Sequence, residues 1–168
     1  MAILLKRTIP ALLLLACLVS CTAVRAYTDD VDAEDVAERM VASLGTHGSF
    51  MEADDDLYDY YFGEHAAYRL VDNASMMFSR EETDVSELGV FEAEREADVP
   101  AVRDMVKAYL DDRTATLRAF AANYSSEDLQ TIDHAGIKVY GRYVVYYILS
   151  EADQAVALEA AENMLRAK

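Results

Sequence analysis

The sequence predicts an α+β fold in which a mainly antiparallel sheet of three to five strands packs with a long central helix, an N-terminal helix and a C-terminal helix. Two observations lead to this prediction. Helical periods and strand-like alternation follow one another in blocks rather than as regular β-α units. The strongest strand pattern is interrupted by a glycine turn, which is typical of an antiparallel hairpin.

Two helices are predicted before the first strands. Over residues 32–44 apolar residues recur at i, i+4, acidic residues occupy the first turn, and a glycine follows the last apolar position. Residues 46–51 are expected to form a loop. Acidic residues also lead the second predicted helix, residues 54–62, whose inward-facing side chains are expected to be Leu57, Tyr60 and Tyr61.

Three stretches have strand-like patterns. Residues 66–78 favour one or two extended segments around a turn signal at residues 72–73. Residues 88–94 alternate between two sets of side chains, as in a strand. Residues 136–149 give the strongest pattern, and Gly141 divides them into a hairpin whose second strand is apolar on both faces.

Three further helices are predicted around that hairpin. The longest begins at residues 98–100, because proline is tolerated in a first turn, and apolar residues at helical spacing extend it through Phe120 to Tyr124. A short helical turn follows Ser126. In the last helix, residues 151–166, the side chains expected to face inward are those of Val156, Ala160, Met164 and Leu165.

The N-terminus has the layout of a cleavable secretory signal. Lys6 and Arg7 precede an apolar run that is shorter than the roughly 20 residues of a membrane-spanning helix. The run ends in Leu-Val-Ser-Cys, which resembles the lipobox of bacterial lipoproteins. This resemblance implies cleavage between Ser20 and Cys21 and attachment of diacylglycerol, with acyl chains such as palmitate, to the Cys21 sulfur. Two acyl chains are enough for stable anchoring.

Two alternatives remain for this segment. Cys17 is a weaker second match to the lipobox, and an ordinary secretory signal would be cut after Ala23 or Ala26. The lipobox interpretation divides the chain into a cleaved signal at residues 1–20, a flexible tether at 21–30 and a single globular α+β domain at 31–168. The 148 residues left after cleavage suit one domain.

Charge and cysteine content narrow the function classes. The chain has a net charge of −16; removing Lys6 and Arg7 with the signal leaves 13 basic against 31 acidic residues, a charge of −18. Such a charge opposes binding to nucleic acid. With Cys17 discarded and Cys21 lipidated, the domain has no thiol for disulfides, cysteine-based zinc sites or nucleophilic catalysis. We expect no cofactor.

A family resemblance covers most of the mature chain. Its motifs, in order, are the lipobox, Ser75-Met76-Met77, Glu87-Leu88-Gly89-Val90-Phe91-Glu92-Ala93, a helix with Arg113 and Phe120, then Tyr124, and Gly141-Arg142-Tyr143-Val144. In these features the chain resembles the bacterial lipoproteins grouped as domain of unknown function 4358. It departs at Ser86-Glu87-Leu88, where such proteins often have an Asp-Glu-Ile-like start. The resemblance implies a membrane-anchored extracytoplasmic domain and transfers no catalytic residue.

Motifs for catalysis and metal binding are weak. Acidic residues crowd positions 52–59, but their spacing does not match an EF-hand, and a helix N-terminus explains them as well as a cation site does. His47, His65 and His134 have no metal-ligand spacing, and no GxSxG or phosphate-binding loop occurs. We therefore predict no metal ligand and no catalytic residue.

Tyrosines offer a candidate binding face. Tyr143, Tyr146 and Tyr147 lie on the strand that is apolar on both faces. Either helices cover both faces, or the tyrosines lie at layer edges with their hydroxyls in water, or some of these rings form an exposed aromatic surface that binds glycan, peptide or a partner protein.

These observations predict a lipid-anchored, non-enzymatic binding or accessory module of the bacterial cell envelope. The expected partners are the membrane, through lipidated Cys21, and an envelope protein or glycan. The alternative is a carboxylate-based or metal-dependent envelope enzyme, which requires a pocket where acidic residues and histidine converge.

Overall fold

The computed structural model describes residues 26–44, 50–82, 84–121 and 125–167. In these ranges it has five strands, five α-helices and two short 3₁₀ helices, Ala66–Leu70 and Glu96–Asp98. The strands are β1 (Phe50–Glu52), β2 (Val71–Ser79), β3 (Glu87–Ala93), β4 (Gly136–Tyr140) and β5 (Tyr143–Ile148). The helices are α1 (Ala33–Ser43), α2 (Asp55–Phe62), α3 (Val99–Ala121), α4 (Ser126–Asp133) and α5 (Glu151–Leu165).

The strands form one sheet in the order β1-β2-β3-β5-β4, and every neighbouring pair is antiparallel. All residues of the interior strands β3 and β5 are buried. Helices α2, α3 and α4 pack on one face, and α1 and α5 pack on the other. The predicted α+β class with an antiparallel sheet is confirmed, with the strand number at the upper limit of the expectation.

Successive side chains of β3 point to opposite faces of the sheet and contribute to a hydrophobic core on each face. Phe91 packs with Phe62 and Met105 in the core under α2 and α3. Leu88 points to the other face and packs with Met40 of α1. Each such side chain contributes about 1.5–3 kcal/mol when fully buried. Strand β5 lies beside β3 between the same two layers of helices, and this explains why β5 is apolar on both faces.

The predicted turn at Asp72 and Asn73 is wrong. Both residues lie inside β2, where the register shifts between Val71 and Asn73 as in a β-bulge. The Asn73 side chain, which favours turns in isolation, accepts a hydrogen bond from the Ala33 backbone N–H at 2.6 Å and so ties β2 to α1. The start of the predicted extended stretch is the 3₁₀ helix Ala66–Leu70.

The predicted loop at residues 46–51 is corrected at its end. Met51 belongs to β1 and pairs with Phe78 of β2. Strand β1 is too short to show an alternating pattern in the sequence, and it forms because it pairs with β2. Residues 45–49 lie outside the described residues, as does Tyr124, which was predicted within the long helix.

Two residues predicted to face inward are exposed, Tyr60 by 80% and Val156 by 42%; Phe120, which continues the apolar period of the long helix, is exposed by 62%. On α2, Tyr58 and Phe62 are buried instead. The face of α5 is set by α1, because small residues let two helices approach closely. The buried residues at that contact are Ala33 and Ala37 of α1 with Ala157, Ala161 and Leu165 of α5.

The strand directions give the sheet two distinct ends. At the near end, Ala93 of β3 pairs with Val71. At the far end, Glu87 of β3 pairs with Phe78 and Ile148. The seven residues of β3 separate the two ends by about 20 Å.

The described chain starts at the near end, where residues 27–30 are held by the fold. Tyr27 forms a β-bridge with Arg166, and the Thr28 N–H donates to the Leu165 carbonyl at 2.8 Å. The predicted flexible tether at 21–30 is therefore wrong for this part, because the C-terminus supplies backbone partners for it. Within the described residues, no helix combines the length and apolar character needed to cross a bilayer.

Gly89 sets the position of a ring on the neighbouring strand. It is the cross-strand partner of Tyr146, and a Cβ on Gly89 would lie 2.3 Å from Tyr146 Cε1. The ring therefore lies over the glycine. Its hydroxyl reaches Glu87, two residues away on the same face of β3.

Gly89→Ala is expected to lower the free energy of unfolding by about 1–3 kcal/mol, because the added methyl forces the Tyr146 ring to move within a close-packed core. Urea unfolding followed by circular dichroism measures the change. In a Tyr146→Leu background the same substitution should cost less. An equal cost in both backgrounds would show that the ring is not the obstacle.

Candidate functional site

Strand β3 carries a buried carboxylate near each end. Glu87 is 1% exposed and Glu92 is 3% exposed. Their side chains leave the strand on opposite faces. An ionised carboxylate is costly to bury unless several donors satisfy it, so the donors around each one define the two ends chemically.

Three side chains donate to Glu87 at the far end. Its Oε1 accepts hydrogen bonds from the hydroxyls of Tyr109 and Tyr146, the latter at 2.8 Å. Its Oε2 accepts from Arg113 Nε at 2.7 Å. Tyr109 and Arg113 lie four residues apart and therefore share one face of α3. Both carboxylate oxygens are occupied, so Glu87 fixes the orientation of Arg113.

The pKa directions of these groups follow from burial and from the charge of Glu87. Burial, and then Glu87, raise the pKa of both Tyr109 and Tyr146. Burial lowers the pKa of Arg113, but the adjacent Glu87 outweighs this effect and the net pKa is raised. At neutral pH the tyrosines are therefore neutral donors and the guanidinium is charged.

A groove of about 450 Å³ opens beside this cluster, between α2 and α3. Its volume is within the range of small-ligand sites. We call it the far-end groove. Its polar and aromatic lining consists of Tyr60, Tyr61, Phe62, His65, Tyr109, Asp112, Arg113 and Thr116.

Tyrosine rings form one wall of the far-end groove. The Tyr61 ring centroid lies 4.9 Å from that of Tyr109 and 5.0 Å from that of Tyr60, both in edge-to-face geometry. Tyr60 is the outermost ring, and Tyr109 is buried at the base. The wall therefore leads from solvent down to the Glu87 cluster.

The carboxylate at the near end has a structural role. Glu92 accepts hydrogen bonds from Arg142 Nη2 and from the Asn73 amide. Burial raises the pKa of Glu92, and these two donors oppose that shift. Arg142 also donates to the carbonyls of Ala93 at 2.9 Å and Asp29 at 3.3 Å. This cluster holds the incoming segment 27–30 against the hairpin.

The three predicted binding-face tyrosines are buried, so the hypothesis of an exposed aromatic surface on β5 is wrong. Helices cover both faces of the strand, as in the alternative explanation. Tyr143 donates to the Val31 carbonyl at 2.7 Å, and the Tyr147 hydroxyl accepts from Gln154 Nε2 at 2.9 Å. Tyr146 belongs to the Glu87 cluster as a core donor.

Of the three histidines, His65 lines the far-end groove together with Asp112, whereas His134 does not and His47 lies outside the described residues. The remaining predicted residues do not assemble into a site. Ser20 and Cys21 lie outside the described residues. In the acidic stretch, Asp54 caps α2 through the Leu57 N–H, and Glu52 accepts from the Ser75 hydroxyl at 3.0 Å. Across residues 26–44, 50–82, 84–121 and 125–167, no group of three or more His, Cys, Asp or Glu could hold a metal ion.

Sequence reasoning missed the far-end groove. In the sequence, Glu87 is part of a strand motif and Arg113 is a helix residue, and neither pattern by itself indicates a groove. One signal was available: an acidic residue next to a wholly apolar strand needs buried donors, and Tyr109 and Arg113 lie at i, i+4 on an adjacent helix. The groove itself requires the packing of α2 against α3.

The fold and site define an α+β domain with a sheet covered on both faces and an arginine-containing groove at its far end. Residues 49–149 match the family model described as a domain of unknown function, DUF4358. The chain belongs to this family, and the match includes both buried carboxylates. Comparison with curated proteins and with solved structures gives no significant match.

Tyr109→Phe is expected to lower the free energy of unfolding by about 1.5–3 kcal/mol, because it removes a hydrogen bond to a buried charged carboxylate. Urea unfolding measures the loss. Tyr140→Phe is the matched control, since its hydroxyl donates only a 3.4 Å bond to the Leu158 carbonyl. If both variants lose the same free energy of unfolding, the hydrogen bond from Tyr109 to Glu87 stabilises the protein no more than the weak Tyr140 bond does.

Tyrosine ionisation is expected to destabilise the protein above pH 10. Burial raises the pKa of Tyr140 and of Tyr143 to about 12, and it also raises the pKa of Tyr58, Tyr109 and Tyr146. In the unfolded chain these hydroxyls ionise at about pH 10. The unfolded state therefore binds fewer protons between about pH 10 and pH 12, and stability falls as pH rises. Urea midpoints that stay constant across this window would contradict the prediction.

Proposed function

We propose that the chain is a lipoprotein of the bacterial cell envelope, anchored outside the cytoplasm through Cys21, and that it acts as a non-enzymatic binding or accessory module through the far-end groove. The signal and lipobox pattern at residues 1–21 supports the anchor. The geometry of the groove supports the binding role.

The observation that carries this proposal is that the described chain begins at the end of the sheet opposite to the groove. Residue 26 lies beside the C-terminus at the near end, whereas Glu87 and Arg113 lie at the far end. The five residues from Cys21 to Ala26 reach at most about 18 Å. An anchored domain would stand close to the membrane and present its groove about 20 Å farther out.

The hydrogen bonding of Glu87 favours binding over catalysis. A catalytic carboxylate has to reach the ligand. Glu87 is 1% exposed, and both of its oxygens accept hydrogen bonds from protein donors. It acts on the groove through Arg113, which it orients, and this arrangement suits recognition of a ligand.

The acidic surface also fits a tethered domain. The mature chain would carry a net charge of −18, which keeps it from lying on anionic lipid headgroups and favours cationic partners.

Wild-type protein expressed in a bacterial host is expected to fractionate with membranes and to carry the mass of two or more acyl chains on an N-terminal Cys21. Cys21→Ala should lose the acyl mass, because the sulfur is the attachment point, and should not be cut before residue 21. Mass spectrometry of the purified fractions measures both properties.

Cys17→Ala is the matched control, because it removes the other cysteine of the same segment and leaves the stronger lipobox intact. It should be acylated like the wild type. A wild-type protein without acyl mass, which fractionates like Cys21→Ala, contradicts the proposed anchor.

A further inference from the structure

We propose that the far-end groove binds the C-terminal carboxylate of a peptide, with Arg113 as the receptor for the carboxylate and the Tyr60, Tyr61 and Tyr109 rings as the surface for the last side chain. This inference rests on the proposed binding function and names the class of ligand.

Arg113 has an unused edge. Its Nε donates to Glu87 Oε2 at 2.7 Å, and no described residue accepts a hydrogen bond from its two Nη atoms. The side chain is 26% exposed and lines the groove. Two parallel N–H groups on a planar guanidinium bind a carboxylate in bidentate fashion. The free edge therefore matches a carboxylate of the ligand.

Arg113 is also held in place before any ligand arrives. Glu87 is fixed by the hydroxyls of Tyr109 and Tyr146, and the guanidinium carbon lies 5.8 Å from the centre of the Phe78 ring. Immobilising a long side chain on binding costs conformational entropy, and a preorganised arginine avoids much of that cost. The buried carboxylate thus prepares the cation for an external anion.

The tyrosine wall suits an apolar terminal side chain. Tyr61 and Tyr109 meet edge to face at 4.9 Å, and Tyr60, 80% exposed, extends the surface at the rim. Aromatic rings of this kind provide large contact area with little loss of side-chain freedom. A volume of about 450 Å³ accommodates one or two residues rather than a folded segment.

The charge around the groove favours a peptide over an acidic polysaccharide. The chain has a net charge of −16, and Asp112 lines the groove next to Arg113. Repeated carboxylates of a polyuronate would be repelled by this field. A single terminal carboxylate, with lysines two or three residues before the terminal residue, places its anion on Arg113 and its cations near Asp112.

The probe is a pool of fluorescently labelled hexapeptides with two central lysines and randomised last two residues. Binding to the full-length wild-type protein is measured by fluorescence polarisation for the free-acid pool and for the same pool amidated at the C-terminus. The best free-acid peptides should bind at least about tenfold more tightly than their amides, because the charge-assisted bidentate bond is lost. Trigalacturonate serves as the acidic-sugar competitor.

Two variants locate the site. Arg113→Lys keeps the positive charge beside Glu87 but loses the planar fork, so binding should weaken about tenfold. Arg118→Lys on the same helix is the matched control, since Arg118 pairs on the surface with Asp133, and its affinity should stay at the wild-type level. Tyr60→Ala, at an exposed position, should weaken binding severalfold while the thermal midpoint is unchanged, which keeps the test valid if Arg113→Lys is unstable.

The inference is overturned if free acids and amides bind equally, if no peptide in the pool binds, if trigalacturonate binds while peptides do not, or if Tyr60→Ala and a folded Arg113→Lys both bind like the wild type. The acyl mass of the same preparation separates the two proposals. If the protein is acylated but does not bind the peptides, only the proposed peptide ligand is refuted. If it is not acylated but binds the peptides, only the proposed anchor is refuted.

Discussion

The burial of β3 between two helical layers is the constraint on which the rest of the structure depends. All seven residues of this strand are buried, so any charge on it must find its donors inside the protein. Glu87 and Glu92 meet this requirement on opposite faces and at opposite ends. Glu87 accepts hydrogen bonds from an arginine and two tyrosine hydroxyls, and Glu92 from an arginine and an asparagine amide, so the two ends of one sheet are chemically different.

A continuous set of contacts links the sheet to the surface of the groove. Gly89 leaves room for the Tyr146 ring, Tyr146 donates to Glu87, and Glu87 orients Arg113. Because the first three members are buried, the position of the partly exposed arginine is set by the core. Such an arrangement holds a binding group rigidly, as recognition of a planar anion requires.

At the near end, the donors of the buried carboxylate hold segments of the fold together. Arg142 at the hairpin turn joins Glu92 to the segment at residues 27–30, and the C-terminal residues pair with that segment from the other side. The family match covers the sheet and α2 to α4 but not α1 or α5. In this chain those two helices are nevertheless required, because they bury the second face of β3 and β5.

The sequence by itself determined the α+β class, the hairpin at Gly141, whose φ is 59°, and the approximate positions of the helices. These features follow from local periodicity and turn chemistry. The tertiary structure alone decided the bulge at Asn73, the exposure of Tyr60 and the far-end groove, because each depends on which element packs against which. The role of Cys21 stays a prediction of the sequence. Local patterns specify elements, whereas the pairing of a buried carboxylate with its donors is a property of the assembled core.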